Sequence, residues 1–123
     1  MTVGQGAEYM LHFYNMSRAG NDDLVYKALA DGRRREMLDL MKEDPRTTGD
    51  ICSHFEGSLD RCTVIQHLGV LEKAGLIFTK KEGRHKWNYL NSVPIRDIYD
   101  RWISKYASPN VELLKKLKYD LER

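Results

Sequence analysis

The hydrophobic pattern of this chain changes its period at Gly75, and that change limits the folds available to it. Before Gly75, apolar residues recur at the three- and four-residue spacing of helices, whereas after it they follow the alternation of strands. Residues 76–81 and 86–90 predict two strands, and Glu82–Gly83–Arg84–His85 predicts the loop between them. The pattern therefore predicts a helical region followed directly by a β-hairpin.

A short helix, a turn and a longer helix are predicted just before the hairpin. Thr47 and Asp50 have the spacing of a capping box, which predicts the start of the short helix. Glu56–Gly57–Ser58 predicts a turn, and the longer helix follows over about residues 60–74. Gly75 is placed to end it in the left-handed conformation. The inward face of the longer helix is predicted to be Val64, Leu68 and Leu71, helped by Ile65 and Val70.

Further helices are predicted on both sides of this segment. Asp31 is the expected N-cap of a helix that Asp44–Pro45 ends, because the residue before a proline avoids the helical region. Residues 92–94 begin a helix after the hairpin, and Ser108–Pro109 begins a last one. The two C-terminal helices carry apolar stripes, formed by Ile95, Ile98, Trp102, Ile103 and Tyr106 and by Leu113, Leu114, Leu117 and Leu121.

This order of elements predicts a mainly α fold with a small β-hairpin, the winged helix-turn-helix. The 123 residues suit one domain with added segments. Residues 1–21 are expected to form an N-terminal arm, which includes a short aromatic stretch at helical spacing. Residues 22–91 form the winged helix-turn-helix core, and residues 92–123 form C-terminal dimerisation helices.

The positive charge of the chain is concentrated in the hairpin. The net charge is only +2, which is too small to establish a nucleic-acid partner by itself. Residues 77–91, however, hold four basic residues and one acidic residue, whereas the rest holds sixteen basic and seventeen acidic residues. A basic loop is what an element contacting DNA phosphates needs. The predicted wing contacts are Lys80, Lys81, Arg84 and Lys86.

The predicted helix over residues 60–74 has one apolar face to bury and one polar face that fits the major groove of DNA. Arginine can read guanine there, and glutamine can read adenine. The alternative for each polar residue is an ordinary solvated face. The predicted base contacts on the first two turns are Arg61, Thr63, Gln66 and His67. The arginine run 33–35 is interpreted mainly as salt bridges and solvated charge.

Three motifs carry a resemblance to a known family. They are Leu29–Ala30–Asp31 followed by arginines 33–35, then Gln66–His67–Leu68 with Leu71 and Ala74–Gly75–Leu76, then Glu82–Gly83–Arg84 with Trp87, Tyr89 and Leu90. In this order they resemble the entry, recognition helix and wing of the ArsR-type (arsenical-resistance repressor) regulators over about residues 24–106. The resemblance implies a homodimeric, operator-binding repressor of bacteria or archaea, released by a metal or another signal.

The cysteines depart from the family's metal-sensing pattern. Alignment of the short helix puts Thr47 and Gly49 where those members carry a Cys-x-Cys, and the helix after the wing has acidic residues but no histidine. We therefore expect neither a metal nor a cofactor. Cys62 is the better redox candidate because it lies in the first turn of a helix beside a cation, whereas Cys52 is expected to be a small buried residue.

The predicted partners are double-stranded DNA and a second copy of the chain, with the effector left open. No apolar run approaches the ~20 residues that span a bilayer, and we expect no membrane partner and a cytoplasmic location. No enzyme motif is present. The alternatives are a winged-helix protein-interaction module and a cysteine-based redox or metal sensor. The predicted dimer interface is Val25, Leu29, Ile98, Trp102, Leu114, Leu117 and Leu121.

Overall fold

A computed structural model describes residues 18–107 and 110–122, which form helices and a small antiparallel sheet. This architecture confirms the predicted fold class. The strands are β1 (Arg46–Thr47), β2 (Ile77–Glu82) and β3 (His85–Leu90). The helices are α1 (Arg18–Leu29), α2 (Gly32–Leu40), α3 (Thr48–His54), α4 (Arg61–Lys73), α5 (Val93–Arg101) and α6 (Asn110–Glu122), with a 3-10 turn at Ile103–Lys105.

Two predicted N-caps are confirmed by hydrogen bonds. The Asp31 carboxylate accepts from the backbone N–H groups of Arg33 at 2.8 Å and Arg34 at 3.4 Å at the start of α2. The hydroxyl of Thr47 accepts from the N–H of Asp50 at 3.1 Å at the start of α3. Each bond satisfies a backbone donor that the helix itself leaves without a partner.

The predicted end of α2 at Asp44–Pro45 is wrong, because the helix ends at Leu40. The guanidinium Nε of Arg46 donates to the Leu40 carbonyl at 3.0 Å and so satisfies one of the last acceptors of the helix. Residues 41–45 then carry the chain into β1. The proline follows the helix and does not end it.

The sheet has the strand order β1–β3–β2, and all neighbours are antiparallel. The hairpin pairs six residues on each strand, from Ile77 opposite Leu90 to Glu82 opposite His85. Its connection is therefore the two residues 83–84, shorter than the predicted loop, and Gly83 adopts a φ of 62° there. The short β1 was not predicted from the sequence.

The core lies between the helices and the base of the hairpin. The three residues predicted to face inward from α4 are confirmed as buried, whereas Ile65 and Val70 are 46% and 37% exposed. The prediction for these two is wrong because each lies about 100° around the helix from the buried row. Fully buried apolar side chains come from five of the helices, the hairpin and the link between α4 and β2: Val25, Ala28, Met37, Ile51, Val64, Leu71, Leu76, Ile77 and Ile98.

The outer helices partly follow the predicted boundaries. Because α1 begins at Arg18, the predicted boundary at residue 21 falls inside a helix. The aromatic stretch predicted in the arm lies outside the described residues. The C-terminal stripe was predicted to continue through Tyr106 in one helix, but α5 ends at Arg101 and the chain passes into the 3-10 turn. The last predicted helix is confirmed as α6.

Candidate nucleic-acid interface

The position of α4 is fixed by a cap at each end. The Asp60 carboxylate accepts from the N–H of Thr63 at 2.7 Å. That bond and a second one from the Thr63 hydroxyl hold the pKa of Asp60 below its ordinary value. At the other end Gly75 has a φ of 79°, and the N–H groups of Gly75 and Leu76 bond to the carbonyls of Glu72 and Leu71. This is the Schellman arrangement, and it confirms the predicted role of Gly75.

The polar residues predicted on α4 do not share one environment. Arg61 and Gln66 are exposed, and they lie on different sides of the helix. A guanidinium N–H of Arg61 points to the Cys52 sulfur at 3.9 Å, which draws this side chain toward α3. Thr63 is half-buried and its hydroxyl already bonds to Asp60. Arg61 and Gln66 therefore stay available for base contacts, whereas Thr63 is used in the cap.

His67 lies on the side of α4 that faces α2. Its ring is half-buried, and its Nδ1 lies 3.1 Å from a guanidinium nitrogen of Arg34. Arginine can only donate, so the His67 Nδ1 is the acceptor in this contact. This geometry ties the His67 ring to the body of the protein, and we remove it from the proposed base-reading residues.

Arg34 is a positioning residue that the sequence reasoning did not single out. Its side chain donates to the carbonyls of Ala28 at 2.7 Å and Lys27 at 3.1 Å, as well as to His67. Arg35 donates to the carbonyl of Leu29 at 2.6 Å. The end of α1 is thus capped by guanidinium groups from α2, and one of them also reaches α4. The only sequence signal was the arginine run itself.

A cleft of about 340 Å³ opens between the start of α3, the side of α4 and the hairpin, which we call the wing cleft. Three permanent cations line it, Arg61, Arg84 and Lys86, against the single carboxylate of Glu72. That carboxylate accepts a hydrogen bond from the hydroxyl of Thr79 at 2.9 Å. The charge balance of the cleft therefore suits a polyanion. The remaining lining is Thr47, Thr48, Gly49, Ile65, Leu68, Gly69, Thr79, His85 and Asn88.

The four basic residues predicted in the wing divide between its two faces. Lys81 lies directly opposite Lys86 in the strand register, and alternation places both on the face that carries Asn88 and borders the cleft. Lys80 lies opposite Trp87 on the other face, and Arg84 occupies the two-residue turn. Like charges directly opposite each other destabilise a strand pair. Phosphates between Lys81 and Lys86 would relieve that repulsion.

Asn88 joins the wing to the start of α3. Its side chain is fully buried, and its Nδ2 donates to the hydroxyl of Thr48 at 3.1 Å and to the carbonyl of Arg46 at 3.2 Å. Because these acceptors belong to β1 and α3, the amide fixes the hairpin against the helix-turn-helix. Sequence reasoning missed this residue, since a polar residue in an exposed-looking strand gives no signal of burial.

The cysteines are both free thiols, Cys52 half-buried and Cys62 exposed on the first turn of α4. Within residues 18–107 and 110–122, no three His, Cys, Asp or Glu side chains lie close enough together to hold a metal ion. In the same ranges, no helix is long and apolar enough to cross a bilayer.

The residues predicted for the dimer interface divide into buried and exposed groups. Val25 and Ile98 are 0% and 1% exposed in the single chain, where the core already covers them, so we do not include these two in the proposed interface. Leu29 is half-buried and packs against that core. Trp102 is 52% exposed, and the three predicted leucines of α6 are also exposed: Leu114, Leu117 and Leu121.

Comparison with known proteins gives consistent matches. A model of the family described as "Bacterial regulatory protein, arsR family" matches residues 31–78. The chain is 33% identical to the uncharacterized HTH-type transcriptional regulator YuzN of Bacillus subtilis (strain 168), over 68% of this chain and 97% of that protein. It is 34% identical to the transcriptional repressor SdpR of the same organism, over 59% of this chain and 79% of SdpR. Its fold is similar to a homodimeric winged helix-turn-helix DNA-binding domain from Mycobacterium bovis, with a TM-score of 0.58 and 23% identity over 76% and 84% of the two chains.

Proposed function

This chain belongs to the ArsR family of bacterial regulatory proteins, and on that premise we propose that it is a homodimeric repressor that reads an operator with α4 and the wing. The observation that carries the proposal is the wing cleft, where Arg61, Arg84 and Lys86 surround one carboxylate beside an exposed helix. A polyanion with a groove wide enough for a helix fits this surface. The naming of SdpR as a repressor supports the sign of regulation.

The parts of the interface have different roles in the proposal. Arg61 and Gln66 contact base edges, because they are exposed on α4 and carry the donors and acceptors that read guanine and adenine. Lys81, Arg84 and Lys86 contact phosphates, which fixes the protein on the duplex without reading its sequence. Asn88 ties the wing to β1 and to the start of α3, which keeps the wing in place beside the helix-turn-helix when both engage DNA.

Selection from randomised DNA duplexes tests the proposal. Two copies related by a two-fold axis place their recognition helices about one helical turn apart, so the selected duplexes should contain an inverted repeat with that spacing. Sedimentation with a selected duplex should give two chains per site. Arg61→Ala or Gln66→Ala should weaken binding to the selected duplex about 5- to 150-fold, and binding to random DNA far less. Equal binding to all duplexes by the wild-type chain would contradict the proposal.

A response through the cysteines is the second candidate, which the exposure of Cys62 on α4 favours. The variant to test it is Cys52→Ser with Cys62→Ser, assayed for binding to the selected duplex with and without zinc and peroxide. We expect wild-type binding in all conditions for both proteins. Loss of wild-type binding on adding either agent, with the double variant immune, would make the protein a cysteine-based sensor.

A further inference from the structure

Three residues spaced four apart, Arg61, Ile65 and Gly69, form one edge of α4, and all three line the wing cleft. We call this row the cleft edge. Gln66 lies about 140° around the helix from Arg61 and does not line the cleft. Along the cleft edge, the side of α4 that faces the wing therefore carries a cation, then a branched apolar side chain, then backbone without a side chain.

The buried core does not require an apolar residue at Ile65. Its side chain is 46% exposed, although isoleucine is among the residues most often buried. The buried row of α4 is complete without it, since Val64, Leu68 and Leu71 fill that role. The surroundings of Ile65 are cationic, so a polyanion is the partner that the charges of the cleft select. In the major groove of DNA the apolar feature that such a side chain can contact is the 5-methyl group of thymine.

Gly69 adds an independent observation. It lies inside a helix, where glycine is less stable than alanine because it loses more backbone freedom on folding. No positive φ requires it, and a Cβ built on it meets nothing within 4 Å. The helix therefore gives up stability at an exposed position without any packing gain inside the chain. Glycine at such a place is explained when another molecule approaches the backbone closely.

We propose that α4 meets DNA along the cleft edge, with Ile65 reading a thymine methyl group and Gly69 leaving room for the duplex one turn further on. The inference rests on the proposed function and names the base feature that its recognition helix selects. Specificity then comes from an apolar contact beside the polar contacts of Arg61 and Gln66.

The first test replaces each thymine of the selected duplex, in turn, with deoxyuridine, which removes only the methyl group. We expect one position per half-site at which wild-type affinity falls about fourfold, the equivalent of one buried methyl group. Ile65→Ala should bind the unmodified duplex more weakly and show no further loss with deoxyuridine at that position. The matched control is Val70→Ala, since Val70 is a partly exposed branched residue of α4 that does not line the cleft. It should keep the full response to deoxyuridine.

The second test is Gly69→Ala, which separates stability from binding. The melting temperature should rise by about 2–5 °C, because alanine is the better helix former and no clash opposes it. Affinity for the selected duplex should fall on the order of five- to tenfold, because the methyl group occupies space that the duplex needs. The control is Gly32→Ala at the start of α2, outside the cleft, where affinity should stay constant.

The outcomes separate this inference from the proposed function. One outcome is a chain that selects a sequence while no thymine methyl effect depends on Ile65, or while Gly69→Ala binds as well as the wild type. Either result would overturn the inference about the cleft edge and leave the proposed function standing. A chain that selects no sequence overturns the proposed function and the inference with it.

Discussion

At the scale of single residues, Arg34 shows how one side chain connects two parts of the fold. It is 14% exposed and donates to two carbonyls at the end of α1 and to the ring of His67 on α4. A lysine at this position would keep the charge but not the planar set of donors. We expect Arg34→Lys to lower the free energy of unfolding by about 1–3 kcal/mol, because the carbonyls of Ala28 and Lys27 and the ring of His67 cannot all keep a donor.

Urea unfolding measures this prediction, with Arg33→Lys as the matched control because Arg33 is exposed on the neighbouring position of α2. The control should stay within about 0.5 kcal/mol of the wild type, as is usual for surface changes. Equal stability of the two variants would show that the hydrogen bonds of Arg34 contribute nothing beyond its charge.

A second residue-scale prediction concerns pH and Asp60. Bonds from the Thr63 backbone and hydroxyl lower the pKa of this carboxyl in the folded chain. A carboxyl with a lowered pKa stabilises the fold at pH values above its unfolded pKa of about 3.9, and the contribution is lost as the pH falls through the lowered value. Asp60→Asn keeps a capping side chain but removes the charge. Its deficit in stability relative to the wild type should therefore be largest near neutral pH and shrink on acidification below about pH 4.

Urea unfolding at a series of pH values from about 7 to about 3 checks this sign, since that range spans the ordinary carboxyl pKa. Asp39→Asn, which changes an exposed carboxyl within α2, serves as the control for the general effect of removing a negative charge. A deficit of Asp60→Asn that stays constant over the whole range would show that the carboxylate form has no special role in the cap.

The residue scale also shows what sequence could and could not predict. Caps were predictable at Asp31, Thr47 and Gly75, because a cap depends on residues within one turn. The environments of His67 and Asn88 were not, because their partners lie 33 to 42 positions away in the sequence. Helical spacing predicted that Ile65 faces inward, but its side chain is 46% exposed. The spacing of apolar residues does not tell how wide the buried stripe of a helix is.

At the scale of elements, the helices and the hairpin were predictable because each carries its own period and its own turn residues. The strand β1 was not, since two residues are too few to show alternation and it pairs with β3, which follows much later in the chain. That strand matters for the site, because it supplies the carbonyl of Arg46 to the buried amide of Asn88. The angle between the wing and the helix-turn-helix is therefore a tertiary property.

The division of the wing cations between two faces leads to an element-scale prediction. Lys81→Ala with Lys86→Ala should reduce the slope of log affinity against log salt concentration by about 0.9 for each phosphate that the variant no longer binds. Lys80→Ala removes the same charge from the opposite face, beside Trp87, and should change the slope less. Arg84→Ala, in the turn, should reduce the slope by about 0.9, the value for a single phosphate.

Fluorescence anisotropy on the selected duplex and on random DNA, at several salt concentrations, provides the measurement. Because phosphate contacts carry no sequence information, the double variant should bind both duplexes more weakly by the same factor. A larger slope change for Lys80→Ala than for Lys81→Ala with Lys86→Ala would reverse our assignment of the DNA-facing side of the wing.

At the scale of the whole molecule, most of the exposed large apolar residues in the described part of the chain lie in the C-terminal segment after the wing. Tyr99, Trp102 and Tyr106 are between 41% and 64% exposed, and the Trp102 ring packs edge-on against Tyr26 and Tyr106. The leucines of α6 are between 49% and 85% exposed. Exposed apolar side chains grouped in this way favour an interaction site. In the homodimer that we propose, a second copy of the chain would cover them.

The final prediction tests that occupant through α6. Leu114 and Leu117 lie on adjacent turns, so a glutamate at both positions places two charges in the proposed interface. We expect the wild type to sediment as a dimer at micromolar concentration and Leu114→Glu with Leu117→Glu as a monomer, because burying unpaired carboxylates costs more than two leucines contribute. Lys116→Glu adds a negative charge to the same helix outside the leucine row and should remain dimeric. The monomeric variant should bind DNA more weakly than the wild type, because only one recognition helix contacts the duplex. If the wild-type chain itself sediments as a monomer, the assignment of α6 to a dimer interface is wrong.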